Sequence, residues 1–396
     1  MNTQTKLGEI ITQIRGVSYK PSDVRAAGDP DAVALLRANN IQEDGLNFDD
    51  LIWVDKQKVG AEQYLRLGDI LICSSSGSKG LVGKAAIVTS DLSCAFGAFC
   101  KVVRTKAEYA SYLGQFFRSP RYRKEISASA AGANINNIRN EHIDEMFISM
   151  PSANERAGCV AKLGQIDYLI QKTNNQSHQW DQLVKSRFVE MFGDPVSNSM
   201  GLPTEPMTAV CTIIDGDRGK YYPKQDEFSD TGYCLFLNAK NVTTSGFSFE
   251  NCMFITKEKD TALRNGKLER GDVVLTTRGT LGNLAFYDDS VPFENVRINS
   301  GMVILRMKKC VMTEVFFIEQ FKLQLQSIKR KIASGSAQPQ LPISTMNKIR
   351  ILLAPMALQK QFAAFVSEVD KSKLAVKQSL EKLETLKKSL MQQYFS

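Results

Sequence analysis

The chain repeats itself at a shift of about 203 residues, and this duplication limits its possible folds more than any other feature. Leu35–Ile41 matches Phe236–Val242, and Leu65–Ile70 matches Leu268–Val273. Each match alone is weak, but the matches occur in the same order in both copies and at a nearly constant offset. Since 396 residues suffice for two to three domains, we expect two similar globular domains.

Further matches extend the repeat along nearly the whole chain. Two apolar series also match, and a proline, Pro151 or Pro355, follows each. The matched residues are Arg15-Gly16 with Arg218-Gly219, Tyr19 with Tyr222, Ile143, Met146, Ile148 and Met150 with Met346, Ile349, Ile351 and Leu353, Asp167 with Asp370, Ser186 with Ser389, and Met191-Phe192 with Tyr394-Phe395.

Each half divides into a globular part and a helical part. The globular parts carry short apolar runs broken by Gly, Asn, Ser and Asp, which is typical of strands and turns, with a helix near 315–331. The run Ile143–Met150 is predicted to be a strand, with His142 in a loop before it. We therefore predict an α+β fold with globular domains at 1–150 and 196–354 and long helices at 151–195 and 355–396.

The second helical segment has apolar residues seven apart, which predicts a coiled-coil seam. A helix of 40 residues is about 60 Å long, more than one small domain can cover, so we expect the two helices to pair antiparallel around a pseudo-two-fold axis. The alternative is that each helix packs only on its own domain. The predicted seam is Leu163, Ile166, Ile170, Trp180 and Val184 in the first helix and Val369, Val376, Leu380, Leu383 and Leu390 in the second, with Leu386 and Tyr394 widening its stripe and with Thr173 and Ser177 interrupting the first.

Composition argues against most catalytic sites. Only two histidines occur, His142 and His178, and no two of the eight cysteines form a CxxC pair, so common structural zinc spacings and a disulfide scaffold are not expected. The sequence lacks an NPPY-type methyltransferase loop, and no acidic residue stands two positions before a lysine, as many nucleases require. Gly77–Lys84 has the wrong glycine spacing for a phosphate loop. We therefore predict no catalytic, cofactor-binding or metal-binding residues.

Charge and hydropathy limit the partners and the location. The net charge of +8 is compatible with a polyanion partner without requiring one. No stretch of 18 apolar residues occurs, and the first residues lack a signal-peptide pattern. We therefore expect a cytoplasmic protein.

Three pairs of matched segments combine hydroxyl, amide and basic side chains, which suit DNA phosphates and base edges. Ordinary turns and surface loops explain the same residues equally well, so both interpretations stay open. The candidate DNA-binding residues are Arg15, Tyr19, Lys20, Ser74, Ser75, Ser76, Lys79, Lys84, Asn134, Asn136, Asn137 and Arg139 in the first half, and Arg218, Lys220, Tyr221, Tyr222, Thr276, Thr277, Arg278, Thr280, Asn283, Gln338 and Gln340 in the second.

The duplicated order of an LxxGD strand, a proline and a long helix ending in an apolar-Phe pair resembles the specificity subunit (HsdS) of type I restriction–modification systems. The resemblance covers essentially the full chain. It departs from the family at the helix starts, where Pro151–Arg156 and Pro355–Lys360 lack the frequent Pro-Pro and Glu-Gln. That departure concerns the contact at the helix start and not the architecture.

The resemblance implies a non-catalytic subunit whose two target-recognition domains each recognise one half of a bipartite double-stranded DNA site. It implies that the helical pair sets the spacer and docks two modification (HsdM) subunits, which carry S-adenosylmethionine and methylate adenine. It also implies restriction/translocase (HsdR) subunits that use ATP and Mg²⁺. Two other functions stay open: a duplicated coiled-coil adaptor for proteins, and a stand-alone nuclease or methyltransferase with an unfamiliar site.

Overall fold

The computed structural model describes residues 3–78, 80–129, 136–308, 312–333 and 340–396. The chain divides into two compact units. Unit 1 comprises 1–176 and 375–396, and unit 2 comprises 177–374. Each unit therefore contains one globular part and segments of both long helices. The predicted domain boundaries stay a prediction, although the helices Ala153–Phe192 and Met356–Phe395 begin and end close to them.

The elements of the first globular part alternate short strands with few helices. The strands are Thr3–Lys6 (β1), Ile11–Arg15 (β2), Val24–Arg25 (β3), Ala32–Leu36 (β4), Ile52–Asp55 (β5), Ile70–Cys73 (β6), Ser75–Ser76 (β7), Ala85–Ile87 (β8), Cys94–Phe96 (β9), Cys100–Thr105 (β10), Asn136–Asn137 (β11) and Phe147–Met150 (β12). The helices are Ala107–Phe116 (α1), Pro120–Ser129 (α2), Asn140–Asp144 (α3) and Ala153–Phe192 (α4).

The second globular part follows the same plan. Its strands are Thr204–Pro206 (β13), Cys211–Asp215 (β14), Cys234–Leu237 (β15), Val242–Thr243 (β16), Gly246–Phe247 (β17), Phe254–Ile255 (β18), Asp272–Thr276 (β19), Leu284–Tyr287 (β20), Val296–Ile298 (β21), Met302–Met307 (β22) and Arg350–Leu352 (β23). The helices are Met207–Val210 (α5), Lys257–Ala262 (α6), Glu314–Ala333 (α7), Ile343–Met346 (α8) and Met356–Phe395 (α9).

The sheet orders confirm the duplication. Within the described residues, unit 1 has an antiparallel sheet of order β2-β10-β6-β8, and unit 2 has the matching order β14-β22-β19-β20. A second sheet, β3-β5-β4-β9, corresponds to β18-β15-β21, and both contain one parallel pair, β4 with β9 and β15 with β21. The pairs β1-β12 and β13-β23 also correspond. The predicted α+β class is confirmed.

In each main sheet, the inner strand β6 or β19 carries a continuous apolar run, Ile70–Cys73 or Val273–Leu275, because both of its faces are covered. In β6, Ile70 and Ile72 pack with the helices, whereas Leu71 and Cys73 pack towards the second sheet. In β19, Val273 and Leu275 pack with the helices, and Val274 packs towards the second sheet. Each unit is therefore built of three layers, helices, main sheet and second sheet.

In unit 1 the two long helices run antiparallel. Lys387 of α9 forms an ion pair with Asp167 of α4 at 2.6 Å, and residues earlier in α4 cluster with residues later in α9. Cys159 and Leu163 share a core with Met391 and Phe395, and the Phe395 ring lies 5.8 Å from that of Phe116.

Unit 2 contains the same arrangement with the helices exchanged. Lys373 of α9 pairs with Asp181 of α4 at 2.6 Å, and the rings of Phe188 and Phe192 lie 5.5 and 5.6 Å from Phe362. Phe192 also lies 4.7 Å from Phe316. The helices thus pair in each unit and also cover its globular part, so the predicted pairing is confirmed, and the alternative in which each helix packs only on its own domain is wrong.

The burial pattern of the helices is more regular than the sequence indicates. Buried or half-buried positions in α4 alternate in steps of four and three through Thr173 and Ser177, so the seam includes these two polar residues. All ten predicted seam residues are buried or half-buried. Leu386 lies outside the seam, because its side chain is 49% exposed.

Two local predictions are wrong. The run Ile143–Met150 is not one strand, because α3 ends at Asp144 and β12 begins only at Phe147. His142 therefore lies in a helix, where its Nδ1 accepts a hydrogen bond from the Arg139 backbone N–H. Ile143 and Ile148 still share one core, so the apolar series reflects common burial and not the alternation of a single strand. The predicted helix near 315–331 is confirmed as α7.

Candidate nucleic-acid interface

The LxxGD motif is structural in both units. Asp69 and Asp272 are buried at the starts of β6 and β19, and each accepts two hydrogen bonds from one arginine, Arg104 or Arg306. Gly68 and Gly271 before them adopt positive φ angles of 88° and 96°, which glycine tolerates at no steric cost. The motif therefore fixes the start of β6 or β19. The loop that follows lies at the opposite end of that strand.

In unit 1 that loop meets a tight turn, Gly97–Cys100, here called turn 1. Cys100 N–H donates to the Gly97 carbonyl at 2.8 Å and closes the turn. The Phe99 carbonyl accepts from Ser74 N–H at 2.9 Å and from Ser75 N–H at 3.1 Å. Gly97 N–H donates to the Leu36 carbonyl at 2.9 Å. Backbone hydrogen bonds from two other segments thus hold turn 1 in place.

Unit 2 repeats this set of backbone hydrogen bonds, here called the frame, in the turn Asn299–Met302, here called turn 2. The Gly301 carbonyl accepts from Thr277 N–H at 2.8 Å and from Arg278 N–H at 3.2 Å. Asn299 N–H donates to the Leu237 carbonyl at 3.1 Å. The ends of β6 and β19 therefore dock on equivalent turns through equivalent atoms.

The strand register corrects one match of the repeat. Arg15 pairs with Lys101 at the end of β2, and Asp215 pairs with Val303 at the end of β14, so Gly16 corresponds to Gly216 and not to Gly219. A Cβ at either glycine would lie 2.1 Å from the first carbonyl of turn 1 or turn 2. The prediction failed because the loops after these glycines differ in length, which local matching cannot detect.

Most described candidates of unit 1 lie at the surface around turn 1. Arg15, Lys20, Asn137 and Arg139 are exposed, whereas Tyr19, Ser75, Ser76 and Lys84 are half-buried. Lys84 Nζ donates to the Gln42 side chain at 3.4 Å. The loop itself is braced, because Arg123 donates to the carbonyls of Val82 and Gly80 at 2.7 and 2.8 Å.

Unit 2 places its candidates around turn 2 in the same way. Arg218, Lys220, Tyr221, Arg278, Thr280 and Gln340 are exposed, and Tyr222 is half-buried against the Phe236 ring. Arg218 donates to the Ser300 carbonyl of turn 2 and pairs with Asp215, both at 3.2 Å. The structure thus brings segments more than 80 residues apart to one surface.

A buried carboxylate fixes the loop after Gly216. Asp217 accepts hydrogen bonds from the backbone N–H groups of Gly219 and Arg264, both at 2.7 Å. Burial by itself would raise the pKa of Asp217, but these two bonds and the Arg264 guanidinium hold it at about 2. The basic loop 218–222 therefore starts from a rigid base.

Four candidates have side chains that are buried or hydrogen-bonded within the protein. Thr276 and Thr277 are buried, and their hydroxyls donate to the carbonyls of Thr280 and Gly301 at 2.5 and 3.0 Å. Ser74 is buried as well, and Asn283 donates to the Val242 carbonyl at 2.9 Å. The side chains of Thr276, Thr277 and Asn283 therefore stabilise the loops, because a buried hydroxyl or amide needs a partner inside the protein.

Some predictions lie outside the described residues. Lys79, Asn134 and Gln338 belong to this group, and Asn136 is described only through the backbone of β11, where it pairs with Ser76. No cluster of three or more His, Cys, Asp or Glu side chains that could hold a metal occurs in the part of the chain that the structure describes. Among the same residues, no helix has the length and apolar composition needed to cross a bilayer.

Sequence reasoning missed Phe99. Its side chain is 69% exposed at the tip of turn 1, although phenylalanine is usually buried. A short Gly-Ala-Phe run between two strands was the available signal, since glycine followed by few residues indicates a tight turn.

Comparison with known proteins gives concordant results. Residues 207–386 match the family described as "Type I restriction modification DNA specificity domain". Over 281 residues, the chain is 31% identical to "Type I restriction enzyme EcoKI specificity subunit" of Escherichia coli (strain K12), covering 67% of this chain and 59% of the relative. The chain belongs to the family of type I restriction–modification specificity subunits.

Further similarities extend to another member of the specificity-subunit family and to a solved structure. "Type I restriction enzyme StySPI specificity subunit" of Salmonella potsdam is 37% identical over 177 residues, which cover 44% of this chain and 38% of the relative. The alignments thus span less than two thirds of both curated relatives. The S subunit of the type I restriction–modification system from M. genitalium matches with a TM-score of 0.51 at 14% identity over 100% of this chain and 96% of that one, which supports the fold.

Proposed function

We propose that this chain is the DNA sequence-specificity subunit of a type I restriction–modification complex, and that each unit recognises one half of a bipartite site. The observation that carries the proposal is the repeated frame of turn 1 and turn 2, on which equivalent backbone positions carry different side chains. A common frame with different surface groups suits the recognition of two different half-site sequences.

The chain itself is proposed to be non-catalytic and to act in the cytoplasm with its partners. Two modification subunits would supply S-adenosylmethionine and the pocket into which adenine is extruded, and restriction subunits would supply ATP- and Mg²⁺-dependent cleavage. Support for two equivalent docking sites comes from Leu183 and Leu386, which are separated by the repeat distance and are 42% and 49% exposed. Their apolar surfaces face solvent on the two long helices.

A domain exchange tests the proposal. Residues 1–150 are replaced by those of another specificity subunit, and the methylated adenines produced with the modification subunits are mapped by sequencing. We expect one half-site to change and the other to persist. A change in both halves, or methylation without any bipartite motif, would contradict the modular assignment.

Two further measurements separate the alternatives. The purified chain alone should not methylate DNA with S-adenosylmethionine, and methylation by the chain alone would favour a stand-alone methyltransferase. Its DNA affinity should fall steeply with salt, by about 0.9 logarithmic units per phosphate contact for each tenfold increase. DNA binding that is absent at low salt would favour a protein adaptor.

A further inference from the structure

In each unit, one position in the turn and one position in the segment that docks on it differ in side-chain size, and the large residue is at opposite positions in the two units. In turn 1 the third residue is Phe99, and the second of the two residues after β6 whose N–H groups bind its carbonyl is the small Ser75. In turn 2 the third residue is Gly301, and the corresponding second residue after β19 is Arg278. Each unit therefore has one large and one small residue at this pair of positions, in opposite order.

The two positions share one region of the surface. A Cβ added to Gly301 would lie 4.0 Å from the Arg278 Cβ, so a side chain there would lie against the arginine. Phe99 and Arg278 thus project from equivalent places, one from the turn and one from the adjacent strand end.

Neither side chain stabilises its own unit through burial. Phe99 is the most exposed large hydrophobic residue among those that the structure describes. Arg278 is exposed, and within the described ranges no carboxylate or carbonyl binds its guanidinium. Both are nevertheless carried by backbone that is fixed by hydrogen bonds, which reduces the entropy lost on binding.

We propose that Phe99 and Arg278 are the equivalent base-contacting residues of the two units, a deepening that rests on the proposed function. Phe99 packs on a thymine methyl group in the half-site of unit 1, because an apolar ring can distinguish that methyl in the major groove. Arg278 binds O6 and N7 of a guanine in the half-site of unit 2, because its planar fork matches those two acceptors.

The test uses the full chain in complex with its modification subunits. Methylation rates are measured on duplexes carrying the mapped wild-type motif, with each thymine replaced in turn by uracil and each guanine by 7-deazaguanine. We expect one thymine-to-uracil change in the first half-site to slow wild type about 10-fold and one 7-deazaguanine in the second to do the same.

Matched variants assign each effect to its residue. Phe99→Ser should lose its response to that uracil and keep its response to 7-deazaguanine. Arg278→Ser, which places at this position the residue type that unit 1 carries as Ser75 and removes the guanidinium donors, should show the reverse. Leu67→Ser is the control, since Leu67 is 63% exposed in unit 1 but belongs to neither turn. It should respond like wild type.

Several outcomes would overturn the inference. One is a first half-site whose methylation is indifferent to every uracil, and another is a Phe99→Ser complex that still responds like wild type. If Phe99→Ser abolishes methylation, Phe99→Leu should restore it, and loss in both variants at unchanged melting temperature would exclude a methyl contact. Absence of any bipartite motif in wild type would instead refute the proposed function.

Discussion

Arg104 donates to Asp69 through two hydrogen bonds, from Nε to Oδ1 at 2.8 Å and from Nη2 to Oδ2 at 2.7 Å. Arg306 and Asp272 repeat this fork in unit 2 at 2.9 and 2.8 Å. In both cases the carboxylate is buried and its other hydrogen bond caps the preceding turn, from Arg66 N–H or Glu269 N–H. The most recognisable motif of the sequence is thus a support for the recognition loops.

Asp69→Asn should strongly destabilise unit 1. Removing one partner leaves the Arg104 guanidinium without its buried counter-charge, which costs about 3 kcal/mol of unfolding free energy. The chain has two tryptophans, Trp53 in unit 1 and Trp180 in unit 2. In a Trp180→Phe background, tryptophan fluorescence therefore comes from Trp53 and follows the urea unfolding of unit 1. The control is Glu145→Gln, which removes the partner of Lys6 in an exposed ion pair of the same unit and should change its stability by about 0.5 kcal/mol or less.

Phe395→Ala should destabilise unit 1 by about 4 kcal/mol, because a fully buried ring is removed from a packed core. Phe192→Ala should have a similar effect on unit 2, followed through Trp180 in a Trp53→Phe background. Leu386→Ala serves as the exposed control on α9. A loss at Phe395 no larger than at Leu386 would show that the end of α9 does not contribute to the core of unit 1.

Lys101 should make stability depend on pH. Burial lowers its pKa from 10.5 to about 8, although the nearby Asp144 and Glu141 oppose the shift, and its Nζ donates to Gln13 and Asn140 at 2.8 Å. Between pH 8 and 10.5 the unfolded chain binds more protons than the folded chain, so this lysine favours folding increasingly as pH rises. Below pH 8 the cost of burying its charge is fully present.

The corresponding measurement compares wild type with Lys101→Met. The difference in unfolding free energy should shift in favour of wild type by up to about 3 kcal/mol across that window. Lys308→Met provides the comparison for an exposed lysine. A difference that is flat from pH 7 to 10.5 would contradict a lowered pKa for Lys101.

Cysteine alkylation should be slow and selective. The seven cysteines that the structure describes are free thiols, and burial raises the pKa of Cys94 and Cys159 to about 11 and of Cys211 and Cys234 to about 12. Since the thiolate is the reactive form, iodoacetamide at pH 8 should modify Cys252 first among them, because it alone is half-buried. Peptide mass spectrometry measures the order, and early modification of Cys94 would contradict the prediction.

Insertion of four residues into both α4 and α9 tests the role proposed for the helices. About one extra turn adds about 6 Å to each helix, so the mapped motif should gain spacer length while both half-sites persist. An unchanged spacer would contradict the idea that the helical pair sets it. Four alanine substitutions at exposed positions of the same helices are the matched control and should leave the motif unchanged.

The sequence predicted the elements that depend on local pattern. The apolar runs of β6 and β19 and the seven-residue spacing of α9 are visible because burial on two faces or along one stripe imposes a period on neighbouring residues. The series around Ile143 shows the limit of this reasoning, since a helix followed by a strand can bury the same residues as one continuous strand.

Duplication, α+β class, paired long helices and family membership were thus determined by the sequence alone, because each leaves a periodic or repeated trace in the order of residues. The tertiary structure decided which polar residues face solvent. Thr276 and Arg278 stand two positions apart, yet one is buried and the other exposed, because hydrogen bonds to the distant turn 2 orient that loop. The exposure of Phe99 likewise depends on partners at Leu36 and Ser74, whose proximity only folding creates.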